Sequence, residues 1–154
     1  MVFLGSTLFS LGALLLLFQR FDWLVVPGGF DALEPSIPAQ TRLVIDRKWQ
    51  SARPLKSGDI VVLEVPGEGD ARQVLGRVVA VAGDLLGKDG SLLLINEKVS
   101  GDSYPESVTG VGTVPEGRIL VLNTNLDSPY PDSRTWGLVG IDWVQSRVIF
   151  FWRP

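Results

Sequence analysis

The chain has 154 residues and a formal net charge of −3, and it contains neither cysteine nor histidine. Such a length suits one small domain, and the two missing residue types exclude a disulfide framework, a thiolate nucleophile, a histidine-based triad and the usual zinc site. The basic residues are scattered, so no nucleic-acid partner is expected, and the available chemistry narrows to hydroxyl, carboxylate, lysine or binding alone. No cofactor and no metal are expected.

Residues 2–18 carry no charge and consist mostly of Leu, Phe, Ala and Val. As a helix they reach about 25 Å, slightly short of a hydrocarbon core of about 30 Å. Trp23 and the apolar Leu24-Val25-Val26 extend the span or anchor it at the lipid interface. A cleaved signal peptide is the rival reading, but the stretch has no basic leader and no small-residue cleavage pattern before Arg20. The expected organisation is a single transmembrane anchor over residues 1–20 followed by one folded domain over residues 21–154, with membrane lipid as a partner.

Beyond the anchor, residues 25–37 (VVPGGFDALEPSI) read as loop, because two glycines follow one proline and a second proline sits at Pro35. Residues 42–46 (RLVID) and 59–65 (DIVVLEV) read as strands, divided by Pro54 and a Ser57-Gly58 turn. The centre of the chain is residues 73–84 (QVLGRVVAVAGD), an apolar run ending at Gly83-Asp84, which predicts a strand buried on both faces. Only Gly76 and Arg77 interrupt it. Lys88-Asp89-Gly90 predicts a hairpin turn into the strand at residues 92–95, with a second turn at Asn96-Glu97. Residues 100–112 are small and polar, and are expected to form the most mobile segment of the domain. No helical periodicity is found outside residues 2–18, so the predicted class is mainly β with one N-terminal transmembrane helix.

Four pieces of sequence occur in a telling order. They are Pro27-Gly28-Gly29 with Leu33-Glu34-Pro35-Ser36; Gly76-Arg77-Val78-Val79 ending at Gly83-Asp84; Val114-Pro115-Glu116-Gly117 before an apolar strand; and Asp132-Ser133-Arg134 with Trp136-Gly137 and a closing aromatic strand. Together they resemble the boxes of the signal peptidase I family, membrane-bound peptidases that use a serine and a lysine. The resemblance runs from about residue 25 to residue 154. It implies a β domain on the non-cytoplasmic side of a cell or thylakoid-type membrane, and a peptide-binding groove lined by Leu33, Pro35 and Val78. It also implies a structural ion pair between Asp132 and Arg134.

The same resemblance sets Ala32 at the nucleophile position and Gly76 at the general-base position. Phe30-Asp31 reads as a two-residue insertion beside the first. Where the family has a Gly-Asp-Asn box this chain has Asn123-Thr124-Asn125, and residues 126–131 are about one residue longer than the family pattern, so the resemblance does not carry over the serine that helps to position the lysine. A methyl group cannot attack a peptide bond, and the arginine at 77 cannot act as a base, because guanidinium does not deprotonate in proteins. Ser36 with Lys48 or Lys56 is the one substitute dyad available, and both lysines sit in polar surroundings that keep them charged. The reading is a pseudoenzyme that serves as a binding or structural subunit of a membrane complex, with another membrane protein or an active peptidase paralogue as partner. The alternative is an active signal peptidase that removes signal peptides from secreted precursors. With no side chain at 76, a bulky substitution there is expected to disturb the groove without unfolding the domain.

Overall fold

Runs of Val, Leu and Ile favour extended backbone, since their branched side chains pack well on a pleated surface. A computed structural model describes residues 19–51, 53–66, 72–110 and 112–153, and these apolar runs form ten strands there. In chain order they are β1 (Phe21–Val25), β2 (Arg42–Asp46), β3 (Ile60–Val65), β4 (Arg72–Val81), β5 (Leu86–Asp89), β6 (Leu92–Ile95), β7 (Lys98–Ser103), β8 (Arg118–Leu122), β9 (Val139–Gly140) and β10 (Val144–Trp152). The expected anchor at residues 2–18 lies outside the described residues. Among the described residues no helix is long and apolar enough to cross a membrane.

Seven strands form one sheet in the order β1-β2-β10-β3-β4-β8-β9, and β5-β6-β7 form a second. All the pairs are antiparallel. In the pairing of β3 with β4, Val61 opposes Gly76, Val62 opposes Leu75 and Leu63 opposes Val74. Side chains alternate between faces along a strand, so this register decides which core each residue enters. Val61, Leu63, Val74 and Val78 join Trp49, Leu55, Ile119 and Val121 on one face. Val62 and Leu75 point the other way and join Val26, Phe30, Ala32, Leu33, Ile37, Leu43 and Ile45. A register shift between Val78 and Ala80 puts Val79 and Ala80 together against the small sheet, with Leu86, Leu93, Val108 and Leu120. Each fully buried Val or Leu stabilises the fold by about 1.5–3 kcal/mol relative to exposure.

One expectation requires correction. Residues 21–25 do not extend a helical span; they form the edge strand β1, and all five pair with β2. The segment 100–112 carries regular structure. Its start belongs to β7, a 3-10 turn follows at Glu106–Val108, and Val108 is fully buried. Polar composition gives little sign of this, because the segment is held by the buried Pro105 and Val108 and by two ion pairs, Arg77 Nη2 to Asp102 Oδ1 and Lys88 Nζ to Glu106 Oε1, each at 2.6 Å, and not by an apolar stripe. The turns match the sequence more closely. Gly90 and Asn96-Glu97 all take positive φ, and the Asn96 side chain fixes the second turn by accepting from Leu85 N and donating to Asp84.

Candidate functional site

The loop between β1 and β2 folds inward because it carries apolar residues at Val26, Phe30, Ala32, Leu33 and Ile37, each at most 5% exposed. Its opposite wall is the segment 123–131 after β8. The Ala32 carbonyl accepts from both Thr124 N (2.9 Å) and Asn125 N (3.0 Å). Asp31 Oδ1 accepts from the Ser128 hydroxyl at 2.6 Å, and the rings of Phe30 and Tyr130 pack with centroids 4.7 Å apart. Phe30-Asp31 and the 126–131 segment therefore touch at two points. Each supplies the other's partner.

Asp132 closes the segment as the N-cap of the one-turn helix α1 (Ser133–Trp136). One of its oxygens accepts from Arg134 N, and the other accepts from Asn123 N and from Arg134 Nη1 at 2.5 Å. A carboxylate at an N-cap offsets the unpaired N–H groups of the first turn. The ion pair expected between Asp132 and Arg134 is thus formed, and the guanidinium meets the carboxylate through Nη1 alone.

The positions singled out in the sequence part company here. Ala32 and Leu33 have no exposed surface and share a core with Leu75. Gly76 lies on the opposite face of β4. A Cβ built at Gly76 would come within 2.2 Å of Val121 Cγ1 and 3.6 Å of Leu63 Cδ1, inside the core that also holds Val78. Val78 is fully buried, and both its backbone groups are engaged, its N–H with Asp59 O and its carbonyl with Gly58 N, each at 2.8 Å. Neither Val78 nor Leu33 thus presents a surface to a peptide in this conformation, whereas Pro35 is exposed. A bulky residue at 76 would strike the core, so the expected groove-only effect is corrected to an effect on folding.

An apolar cavity of about 250 Å³ does open beside Ala32's core, lined by Leu24, Pro27, Phe30, Val62, Leu75 and Tyr130 among others. Sequence reasoning missed Phe30, Leu75 and Tyr130 as its walls. Period-two alternation along residues 73–78 was the available signal, since it sets Leu75 and Gly76 on opposite faces. Arg77 is also accounted for: it leaves β4 toward Asp102 in the small sheet. Ser36 is exposed, and its carbonyl accepts from Arg153. Among the described residues, no group of three or more His, Cys, Asp or Glu side chains is placed to hold a metal ion.

Residues 2–153 match the family described as Signal peptidase, peptidase S26. The chain belongs to the signal peptidase family. A signal peptidase I of Bacillus caldolyticus is 28% identical over 141 residues, covering 80% of this chain and 75% of its own. The solved structure of a signal peptidase I from Enterococcus faecalis V583 is 22% identical and covers 64% of this chain and 98% of its own, with a TM-score of 0.49. Within this signal peptidase family member, the loop carrying Ala32 and the segment carrying Asn123-Thr124-Asn125 form one joined unit, and β4 supplies the cavity's floor through Leu75.

Proposed function

We propose that this chain is a catalytically inactive signal peptidase family member that acts as a binding or structural subunit of a membrane complex. Residues 1–20 hold it in the membrane, and the β domain of residues 21–154 stands on the non-cytoplasmic side. The observation that carries this reading is the chemistry at two positions. Ala32 offers a buried methyl where the family resemblance calls for a hydroxyl, and Gly76 offers no amine. Loss of nucleophile or base alone costs a serine protease roughly a millionfold in turnover. In this reading two losses leave no useful enzyme.

Binding can outlive catalysis, because an extended segment needs only free backbone groups and small side-chain pockets. The apolar cavity walled by Phe30, Leu75 and Tyr130 supports that role, and its partner is another membrane protein or an active peptidase paralogue. Purification of the native chain in mild detergent tests it. The expected result is a stoichiometric partner that co-migrates with the wild type and dissociates when Tyr130→Ala opens the cavity wall. A chain that runs alone in mild detergent at native expression level contradicts the subunit reading.

A further inference from the structure

The large sheet leaves one strand edge open in its interior. β10 pairs with β2 from Arg147, opposite Asp46, to Trp152, opposite Arg42, but its pairing with β3 stops at Arg147 opposite Val61. β3 begins at Ile60, and the turn before it belongs to β4, since Gly58 N and Asp59 O are both taken by the backbone of Val78. Over residues 148–151, β10 therefore has no strand on its β3 side among the described residues. Alternate N–H and C=O groups of an antiparallel strand point to each side, so this edge offers unpaired backbone to a partner.

A groove of about 670 Å³ runs along the open edge, with Gly58, Asp59 and Ile60 on one bank and residues 148–151 on the other. Its ends are basic, lined by Arg53, Lys56 and Arg147. Arg53 holds both oxygens of Asp59 at 2.7 and 2.9 Å, and Arg147, only 4% exposed, shares the buried Asp46 with Arg20 at 3.9 and 2.8 Å. Four cations thus meet two carboxylates, a local surplus of +2 on a chain whose net charge is −3. Among the described residues Lys56 Nζ has no ion-pair partner, and Arg147 Nε has no hydrogen-bond partner.

We propose that an extended acidic segment of a partner protein adds here as a strand, pairing its backbone with residues 148–151 of β10 and setting its carboxylates against Lys56 and Arg53. Main-chain hydrogen bonds to an open edge supply affinity, and the charge surplus selects the sign of the segment. A free anion needs only the cations, and a lipid needs no backbone edge. The unpaired edge between the basic residues is what favours a peptide. This contact goes beyond the subunit reading above, since it is separate from the cavity beside Tyr130 and holds whether or not that cavity takes a partner.

The test uses the full chain in mild detergent and the peptide Glu-Val-Glu-Val-Glu-Val-Glu-Val, read by backbone hydrogen exchange of the chain and by fluorescence anisotropy of a labelled copy of the peptide. The peptide should slow exchange over residues 148–151 and leave the small sheet unchanged. Lys56→Glu should weaken binding about fivefold or more, the scale of turning one exposed attractive pair into a repulsive one. Lys98→Glu, on the small sheet, should change nothing, and the peptide methylated at every backbone nitrogen should not bind. Unaltered exchange at residues 148–151 overturns the strand site and leaves the subunit reading standing, because co-migration of the native partner is measured separately. Equal binding of the methylated peptide overturns it by showing charge attraction without strand pairing. Equal binding of the Lys-Val counterpart overturns the selection of an acidic segment. Protection of residues 148–151 by phosphatidylglycerol nanodiscs, with none from the peptide, makes this face a lipid contact and also overturns it.

Discussion

The missing side chain at Gly76 carries the proposed loss of the base, and it also decides how the core packs. Val121 Cγ1 fills the space its Cβ would take. Gly76→Ala is therefore expected to destabilise the domain by about 1–3 kcal/mol, the usual cost of overpacking a core. Val121→Ala in the same chain should recover part of that loss, a non-additivity readable from urea denaturation of the two single variants and the double. Simple addition of the two costs would contradict the packing account. The absence of an amine at 76 was legible in the sequence, since it needs only the identity of one residue. The occupied space behind it was not, because Val121 lies on a different strand and enters only through the register of β4 with β8.

Asp59 gives a pH prediction at the same scale. Burial works against its ionisation, but the Arg53 hydrogen bonds, the Lys56 N–H and the charges of Arg53 and Arg147 outweigh burial and hold its pKa below the ordinary 3.8. A carboxyl with a lowered folded pKa contributes stability that is fully present above its unfolded value and is lost as pH falls through the folded one. The urea midpoints of wild type and Asp59→Asn should thus differ at neutral pH and converge as pH drops below 3.8. A constant gap across that range would assign the difference to shape and not to charge.

Among the elements, the loop of residues 26–41 and the segment 123–131 behave as one unit. The Phe30 ring on Tyr130 and the Ser128 hydroxyl on Asp31 join the two. Phe30→Ala should cost about 3–5 kcal/mol, as large-to-small changes of a buried aromatic do. A double-mutant cycle with Tyr130→Ala should give a coupling of about 0.5–1.5 kcal/mol, the range of an aromatic pair. Zero coupling would mean that the loop and the segment stabilise the domain independently. Phe30-Asp31 and residues 126–131 each stood out in the sequence, but their contact could not be read there, because about 100 positions separate them and no local pattern links them. Strands β2, β3 and β4 were legible from Val-rich runs and the hairpin from Gly90, whereas β1 was absorbed into the neighbouring apolar stretch. An edge strand with Trp23 and Val25 turned outward looks, in composition alone, like the end of a membrane span.

For the molecule as a whole, the β domain and the apolar residues 2–18 lead to different experiments. Alkaline carbonate extraction should leave the full chain in the membrane pellet, and its release to the supernatant would contradict the anchor. Catalysis is the more decisive matter, because family membership carries an expectation of peptide cleavage that Ala32 and Gly76 oppose. The direct measurement is incubation of the purified full chain, in detergent, with a fluorogenic signal-peptide precursor. No turnover above the protein-free control is predicted, and Ser36→Ala should leave that result unchanged. Turnover by the wild type that disappears in Ser36→Ala would contradict the account and place the nucleophile at Ser36.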